Sequence, residues 1–333
     1  MGKTYWHLLA ARRMPTQYEL TSSQLLYHAR FGNAVRTPVS DFHAQHRARF
    51  DVPDWEAFRD PAETTYTAYV TTRRDREVFV EQLLQSIDGS DYDARLGRRW
   101  LSLLDRVLSP LRYPCHGLQM VAAYLAQAAP ASRIAIAAAF QSADEVRRIQ
   151  WFAYRTKQLS LAHPGFAARA LEDWQNNPAL QPLRAVVEQL LVCYDWDEAF
   201  TALTLVLKPL FDEFFGARWA ELARSEGDDI LARLLLSLSE DQRWHAAWSF
   251  ELARQIVAAG EGERMLELIE RWRPRAIDAI GSAATLCASA LGGADLGDEL
   301  ERVQSFVLVQ CGLSPARPDA ALLRAPRQLG GSA

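Results

Sequence analysis

An all-α fold is predicted by three features of the chain. Between about Val80 and Ile280 apolar residues return every three or four positions, alternating β-branched runs are almost absent, and prolines stand where helices should end or bend. That spacing lines one helix face with apolar side chains, whereas a half-buried strand needs them at every second position.

The periodicity predicts helices over 77–87, 92–108, 115–129, 131–161, 166–174, 181–193, 196–224, 227–259 and 262–280. Pro110 and Pro114 flank a break, and Pro130 divides two helices or kinks one. Pro164 follows a helix end. Pro209 falls inside a helical pattern, where its missing N–H and its ring should bend the axis. The stretch "ASRIAIAAAF" (131–140) is crowded with alanine, and side chains that small let neighbouring helices approach closely. No repeat of fixed period is present, which disfavours a solenoid.

The first 70 residues differ. They hold 11 of the chain's 34 aromatic residues without sustained helical or strand period, so they have little pattern from which to build a core of their own. Residues 1–75 are expected to form an extended arm laid across a partner, with Tyr5, Trp6 and Tyr18 in the contact. Residues 76–312 form the helical domain, and 313–333, "LSPARPDAALLRAPRQLGGSA", a flexible tail.

With 49% hydrophobic and 23% charged residues, the composition is that of a soluble globular protein. A net charge of −4 and a pI near 6.0 give no bulk attraction for nucleic acid or anionic lipid. Apolar stretches are interrupted too early to span a bilayer and no leader pattern is visible, so the expected location is cytoplasmic. Cys115, Cys193, Cys287 and Cys311 are far apart without CxxC pairing and read as reduced thiols.

The stretch "SADEVRRIQ" (142–150) has the build of half a di-iron site. Such a site needs Glu-x-x-His pairs, because residues i and i+3 share a helix face and project together into a bundle. Glu145 supplies the acid, but Arg148 stands in the place of the histidine, and an obligate cation cannot ligate a metal. Further along, Asp241 is followed at the same spacing by Trp244, whose indole has a donor and no lone pair for a metal. Asp241 and His245, at i and i+4, share a face, yet one pair is not a site, and His245 is expected at a surface or satisfied in an interface. Cys115 beside His116 reads as a small core thiol, since adjacent helical residues point different ways. Phosphate loops, nucleophile elbows and HExxH motifs are absent.

The segments "KTYWHLLAARRMPTQYEL", "LSPLRYPCHGLQMVAAYLAQAAPAS", "QSADEVRRIQWFAYRTKQLSL", "YDWDEAFTALTLVLKPLFDE" and "RWRPRA" together span most of residues 3–280. In this order and spacing the chain resembles the β subunit of the hydroxylase component of bacterial multicomponent di-iron monooxygenases, the toluene monooxygenase type in particular. The resemblance implies a ferritin-like, ribonucleotide reductase-like helical bundle with an extended N-terminal arm, assembled with a catalytic α subunit and a small γ subunit into a dimer of three-chain protomers. It implies further that the di-iron centre belongs to α and that this chain holds no cofactor. A reductase and a Rieske ferredoxin would bring electrons from NADH, an effector protein would tune the reaction, and O₂ would hydroxylate aromatic hydrocarbons of the toluene and benzene class. Aligned with the α pattern, Gln119 and Lys208 fall at the two lone-glutamate positions, Glu145 and Arg148 at the first Glu-x-x-His, and Asp241 and Trp244 at the second. The site would then be vestigial, with Glu145, Arg148, Lys208 and Asp241 either converging as a neutral network of buried ion pairs or turning one or more of their side chains to solvent or to the α interface. An alkene or propane-type hydroxylase subunit, an independent helical oxygen-activating enzyme and a scaffolding protein are the alternatives.

Overall fold

The computed structural model describes residues 14–23, 25, 41, 45–288 and 296–314. Helices carry the fold, and there is no strand among the described residues. Helix α1 (Gln17–Ser22) starts with a capping box, in which the Thr16 hydroxyl accepts the Glu19 N–H at 3.2 Å and the Glu19 carboxylate accepts the Thr16 N–H at 2.8 Å.

Helix α2 (Tyr66–Gln85) begins well before the expected residue 77. Thr65 caps its first turn, and only Val80 and Leu84 of its side chains are buried, so its first half has no apolar stripe to read. Residue 75 is therefore inside a helix and marks no structural break.

Helix α3 (Arg98–Leu103) continues through a π turn (Leu104–Leu108) and a 3-10 turn (Ser109–Leu111) into α4 (Arg112–Gln127), so the break expected at Pro110 and Pro114 is a rewinding of one helical path. Helices α5 (Ser132–Ala162), α6 (Ala170–Asn176) and α7 (Gln181–Leu191) follow. The predicted helix over 196–224 is composite: α8 (Trp196–Phe200), a π turn (Thr201–Leu207), α9 (Lys208–Asp212), a second π turn (Glu213–Arg218) and α10 (Trp219–Ser225). Pro209 accounts for the first π turn, because its ring would collide with the carbonyl one α turn earlier and it brings no N–H to that carbonyl. Helix α11 (Asp229–Ile256) and α12 (Gly262–Ala284) are joined through Gly260, whose φ of 98° is left-handed. Helix α13 (Leu296–Gln310), absent from the periodicity reading, buries only a short stripe of Leu300, Val303, Gln304 and Val307.

Helices α4 and α5 are joined by only a few residues and pack along their length. Helix α11 packs on α5, α2 and α10, and α12 covers α7 and the π turn at 201–207. Trp100, Trp196, Trp219 and Trp248 fill the interior. No described helix is long and apolar enough to cross a membrane.

Several side chains of the described part of the arm pack onto this chain's own core. Tyr18 is only 3% exposed; its hydroxyl accepts the Asp60 N–H at 3.0 Å, and the Arg59 and Arg133 guanidinium groups lie 5.8 and 5.5 Å from its ring centre. Phe50 and Phe58 are likewise buried. Arg133 sets this course, since its guanidinium donates to the Glu56 and Phe58 carbonyls and to the Ser22 and Ser23 hydroxyls. Tyr18, expected in a subunit contact, is thus buried against this chain's own residues. Tyr5 and Trp6 lie outside the described residues, as does the tail from 315 onward.

Candidate functional site

Helix α5 carries two acids at 144 and 145 and two arginines at 147 and 148. Successive helical residues point about 100° apart, so Glu145 with Arg148 takes one side of the helix and Asp144 with Arg147 the next. Two separate charge clusters result.

The first lies between α5 and α9. Lys208 Nζ donates to Glu145 Oε1 at 2.6 Å and to Asp212 Oδ2 at 2.7 Å. Arg148 donates to Asp212 Oδ1 at 2.8 Å, stands 3.4 Å from Glu145 Oε2, and lies 5.8 Å from the Phe211 ring centre. Glu145, Arg148 and Lys208 are at most 3% exposed. Burial alone would raise the Asp212 carboxyl, but Lys208 and then Arg148 outweigh it and hold the group below the usual carboxylate range. Burial opposes the Arg148 charge, yet Glu145 and Asp212 more than restore it. The Cys115 thiol beside this cluster is fully buried and pushed up to about 12, chiefly by desolvation, so it is no nucleophile.

The second cluster lies among α2, α5 and α11. Asp144 accepts from Arg73 Nε at 2.7 Å and Nη2 at 2.6 Å, from the Tyr69 hydroxyl at 2.9 Å, and faces His245 Nε2 at 3.0 Å. Burial pushes Asp144 up, and Arg73 with His245 pulls it further down, leaving the carboxyl well below its ordinary value. Asp241 meets Arg147 at 2.5 Å, Arg73 at 3.3 Å, and Arg76. Arg147 also pairs with Glu77.

The expected single network of Glu145, Arg148, Lys208 and Asp241 is therefore corrected. Three of the four meet, but the second carboxylate facing Lys208 is Asp212, while Asp241 serves the arginines of α2. Helix α9 places Lys208 and Asp212 one turn apart on a single face, so the i,i+4 relation alone was a legible signal for Asp212. Arg73 and Arg76 offered none, because their helix has no apolar stripe. His245, expected at a surface or interface, is 3% exposed in the second cluster. Trp244 donates its indole N–H to both Asp60 oxygens, at 3.1 and 3.2 Å. Gln119 donates to the Ser142 hydroxyl at 3.0 Å, apart from both clusters.

The donor set does not fit a di-iron centre. Around Glu145 the neighbouring positive charge comes from the protein's own ammonium and guanidinium groups, and among the described residues no group of three or more His, Cys, Asp and Glu could hold a metal ion.

Comparison with known proteins gives this geometry a context. The family described as methane/phenol/alkene hydroxylase matches residues 33–260. A curated relative, the toluene-4-monooxygenase system hydroxylase component subunit beta of Ectopseudomonas mendocina, is 32% identical over 284 residues, covering 82% of this chain and 87% of that one. The phenol 2-monooxygenase oxygenase component DmpL of Pseudomonas sp. strain CF600 is 26% identical, over 83% of each chain. A solved structure of toluene 4-monooxygenase, with toluene bound in its resting active site, superposes at a TM-score of 0.81 with 31% identity, covering 85% of this chain and 97% of that one. The shared fold is ferritin-like.

Proposed function

Because the chain belongs to the methane/phenol/alkene hydroxylase family and aligns along most of its length with a hydroxylase β subunit, we propose that it is the non-catalytic β subunit of a cytoplasmic, aromatic-hydroxylating di-iron monooxygenase. Its partners are a catalytic α subunit that holds the iron, a small γ subunit and a second protomer, served by an effector protein, a Rieske ferredoxin and an NADH-dependent reductase. Toluene and benzene represent the substrate class.

The observation that carries this reading is the 32% identity to the toluene-4-monooxygenase β chain over 82% of this chain. Physical support comes from the cluster around Glu145, where Arg148 and Lys208 supply from within the protein the positive charge that buried carboxylates require. On this reading Glu145, Arg148, Lys208, Gln119, Asp241 and Trp244 stand at vestigial metal-site positions, and the chain's contribution is to the assembly. The test is to express the hydroxylase with and without this chain. Toluene hydroxylation with NADH and O₂ should require it, while iron should co-purify with the chain carrying two Glu-x-x-His motifs. Full activity without this chain, or iron that follows it, would refute the proposal.

A further inference from the structure

Apolar packing fixes helix α2 to the bundle at its C-terminal end alone. Val80 and Leu84 are sealed in the core, whereas no residue from Tyr66 to Phe79 is buried, and Tyr66, Val70, Val78 and Phe79 are exposed. The first three turns are held instead by side chains that reach inward to the second charge cluster. Tyr69 donates to Asp144 at 2.9 Å and stacks on Phe140 with ring centres 4.2 Å apart. Arg73 donates to both Asp144 oxygens and lies 4.8 Å from the Tyr69 ring centre. Arg76 pairs with Asp241 and, at 2.9 Å, with Glu240. Glu77 accepts the Trp151 indole N–H at 3.1 Å and pairs with Arg147.

The two charge clusters therefore come apart in different ways. In the first, Lys208 and Asp212 sit on α9, directly after a π turn whose residues are all buried, so its ion pairs cannot separate without opening the core. In the second, one side of the cluster is carried by a helical segment with no buried apolar group. When that segment leaves, water reaches Arg73 and Arg76 and also Asp144 and Asp241, so no charge is stranded in the interior. Attraction within a buried ion cluster is largely offset by desolvation, and separation returns that hydration. The net hold of charge on the segment is correspondingly small. Once released it cannot persist as a helix, because about a dozen residues is marginal for an isolated helix in water. Thr67, Val70, Thr71 and Thr72 are β-branched, which lowers its helix propensity further.

We propose that residues 66–77 form an electrostatic latch: this half of α2 opens and unwinds on its own while the rest of the bundle stays folded. Its two ends stay in place, since Asp60 is held by the Tyr18 hydroxyl and the Trp244 indole on one side and Val80 is anchored in the core on the other. Opening admits water and ions to Asp144, Asp241 and His245 at the bundle centre. Raised ionic strength favours the open form, because salt screens the arginine–carboxylate attraction that closes the latch. The device is independent of the function proposed above.

Hydrogen exchange of the full chain, followed by amide across low urea concentrations, tests this. Amides from Val70 to Glu77 should exchange about a hundredfold faster than those in the middle of α5 and almost independently of urea, because a local opening exposes little surface. Raising NaCl from about 0.05 to about 0.5 M should quicken them roughly threefold, and more than the amides of α4, which contacts neither cluster through an acid. Arg73→Met should speed the same amides about tenfold further and remove most of the salt response, whereas Arg73→Lys, which keeps the charge and loses the bidentate fork, should retain that response. Exchange of residues 70–77 with the rate and urea dependence of α5 would overturn the latch, and so would a salt response no larger than that of α4. The wild-type measurements decide the question even where a variant fails to fold.

Discussion

Lys208 Nζ lies 2.6 Å from Glu145 Oε1, and both side chains are all but sealed from water, at 3% and 1% exposure. The ammonium also holds Asp212, so its loss strands two carboxylates with the Arg148 guanidinium as their remaining cation. Lys208→Met should therefore destabilise the chain by about 3–5 kcal/mol, the cost of leaving a buried charge uncompensated, where an exposed pair would give roughly 0–1. Chemical denaturation of the assembled hydroxylase measures this, and Glu145→Gln added to Lys208→Met should recover part of the loss. A loss under about 1 kcal/mol would contradict the buried network.

Two carboxyls should move stability with pH in opposite directions. Glu213 is raised to about 7 by burial and by the nearby Glu299 and Glu221. The folded state therefore binds this proton more tightly than the unfolded chain, and its contribution is present below the ordinary glutamate pKa and lost as pH rises through about 7. Asp144 is held low by Arg73 and His245 against its burial, so its contribution is present above the ordinary aspartate pKa and lost on acidification below it. Melting temperatures across pH 3–8 should lose part of the neutral-side slope in Glu213→Gln, the rest coming from Asp197, which burial also raises to about 7, and part of the acid-side slope in Asp144→Asn.

Gly117 marks the crossing of α4 over α7. A Cβ there would collide with Val187 Cγ1, so the Val187 side chain or one of the helices must shift to admit it. Gly117→Ala should cost about 1–3 kcal/mol despite the higher helix propensity of alanine, and Val187→Ala added to it should restore stability. A melting temperature at or above that of the wild type would show that the helices separate freely.

Trp244 secures the chain before α2. Its indole N–H reaches both oxygens of Asp60, whose backbone N–H is in turn taken by the Tyr18 hydroxyl. Trp244→Phe keeps the ring and removes the donor, with an expected cost of about 1.5–3 kcal/mol for a hydrogen bond to a charged group. Hydrogen exchange should quicken at Ala62 and Thr64, whose amides also donate to Asp60. Unchanged exchange there would mean that Asp60 is positioned without the indole.

The sequence by itself determined the all-α class, most of the long helices and the inability of Arg148 and Trp244 to ligate a metal, because helical periodicity and side-chain chemistry are local properties. Proline positions marked the stop after α5 and the distortion before Pro209 for the same reason. Only the tertiary structure decided which charges meet. Adjacent acids and adjacent arginines on α5 diverge by about 100°, and nothing in their spacing says which helix lies opposite each pair. Asp212 could replace Asp241 beside Lys208 because α9 presents both residues on one face, while α2, featureless in its apolar pattern, brings Arg73 and Arg76 to Asp241. Tyr18 likewise went inward because Arg133, far away in sequence, holds the carbonyls and hydroxyls of the segments around it. Such pairings are set by long-range packing, where burial makes an unmatched charge costlier than any local preference.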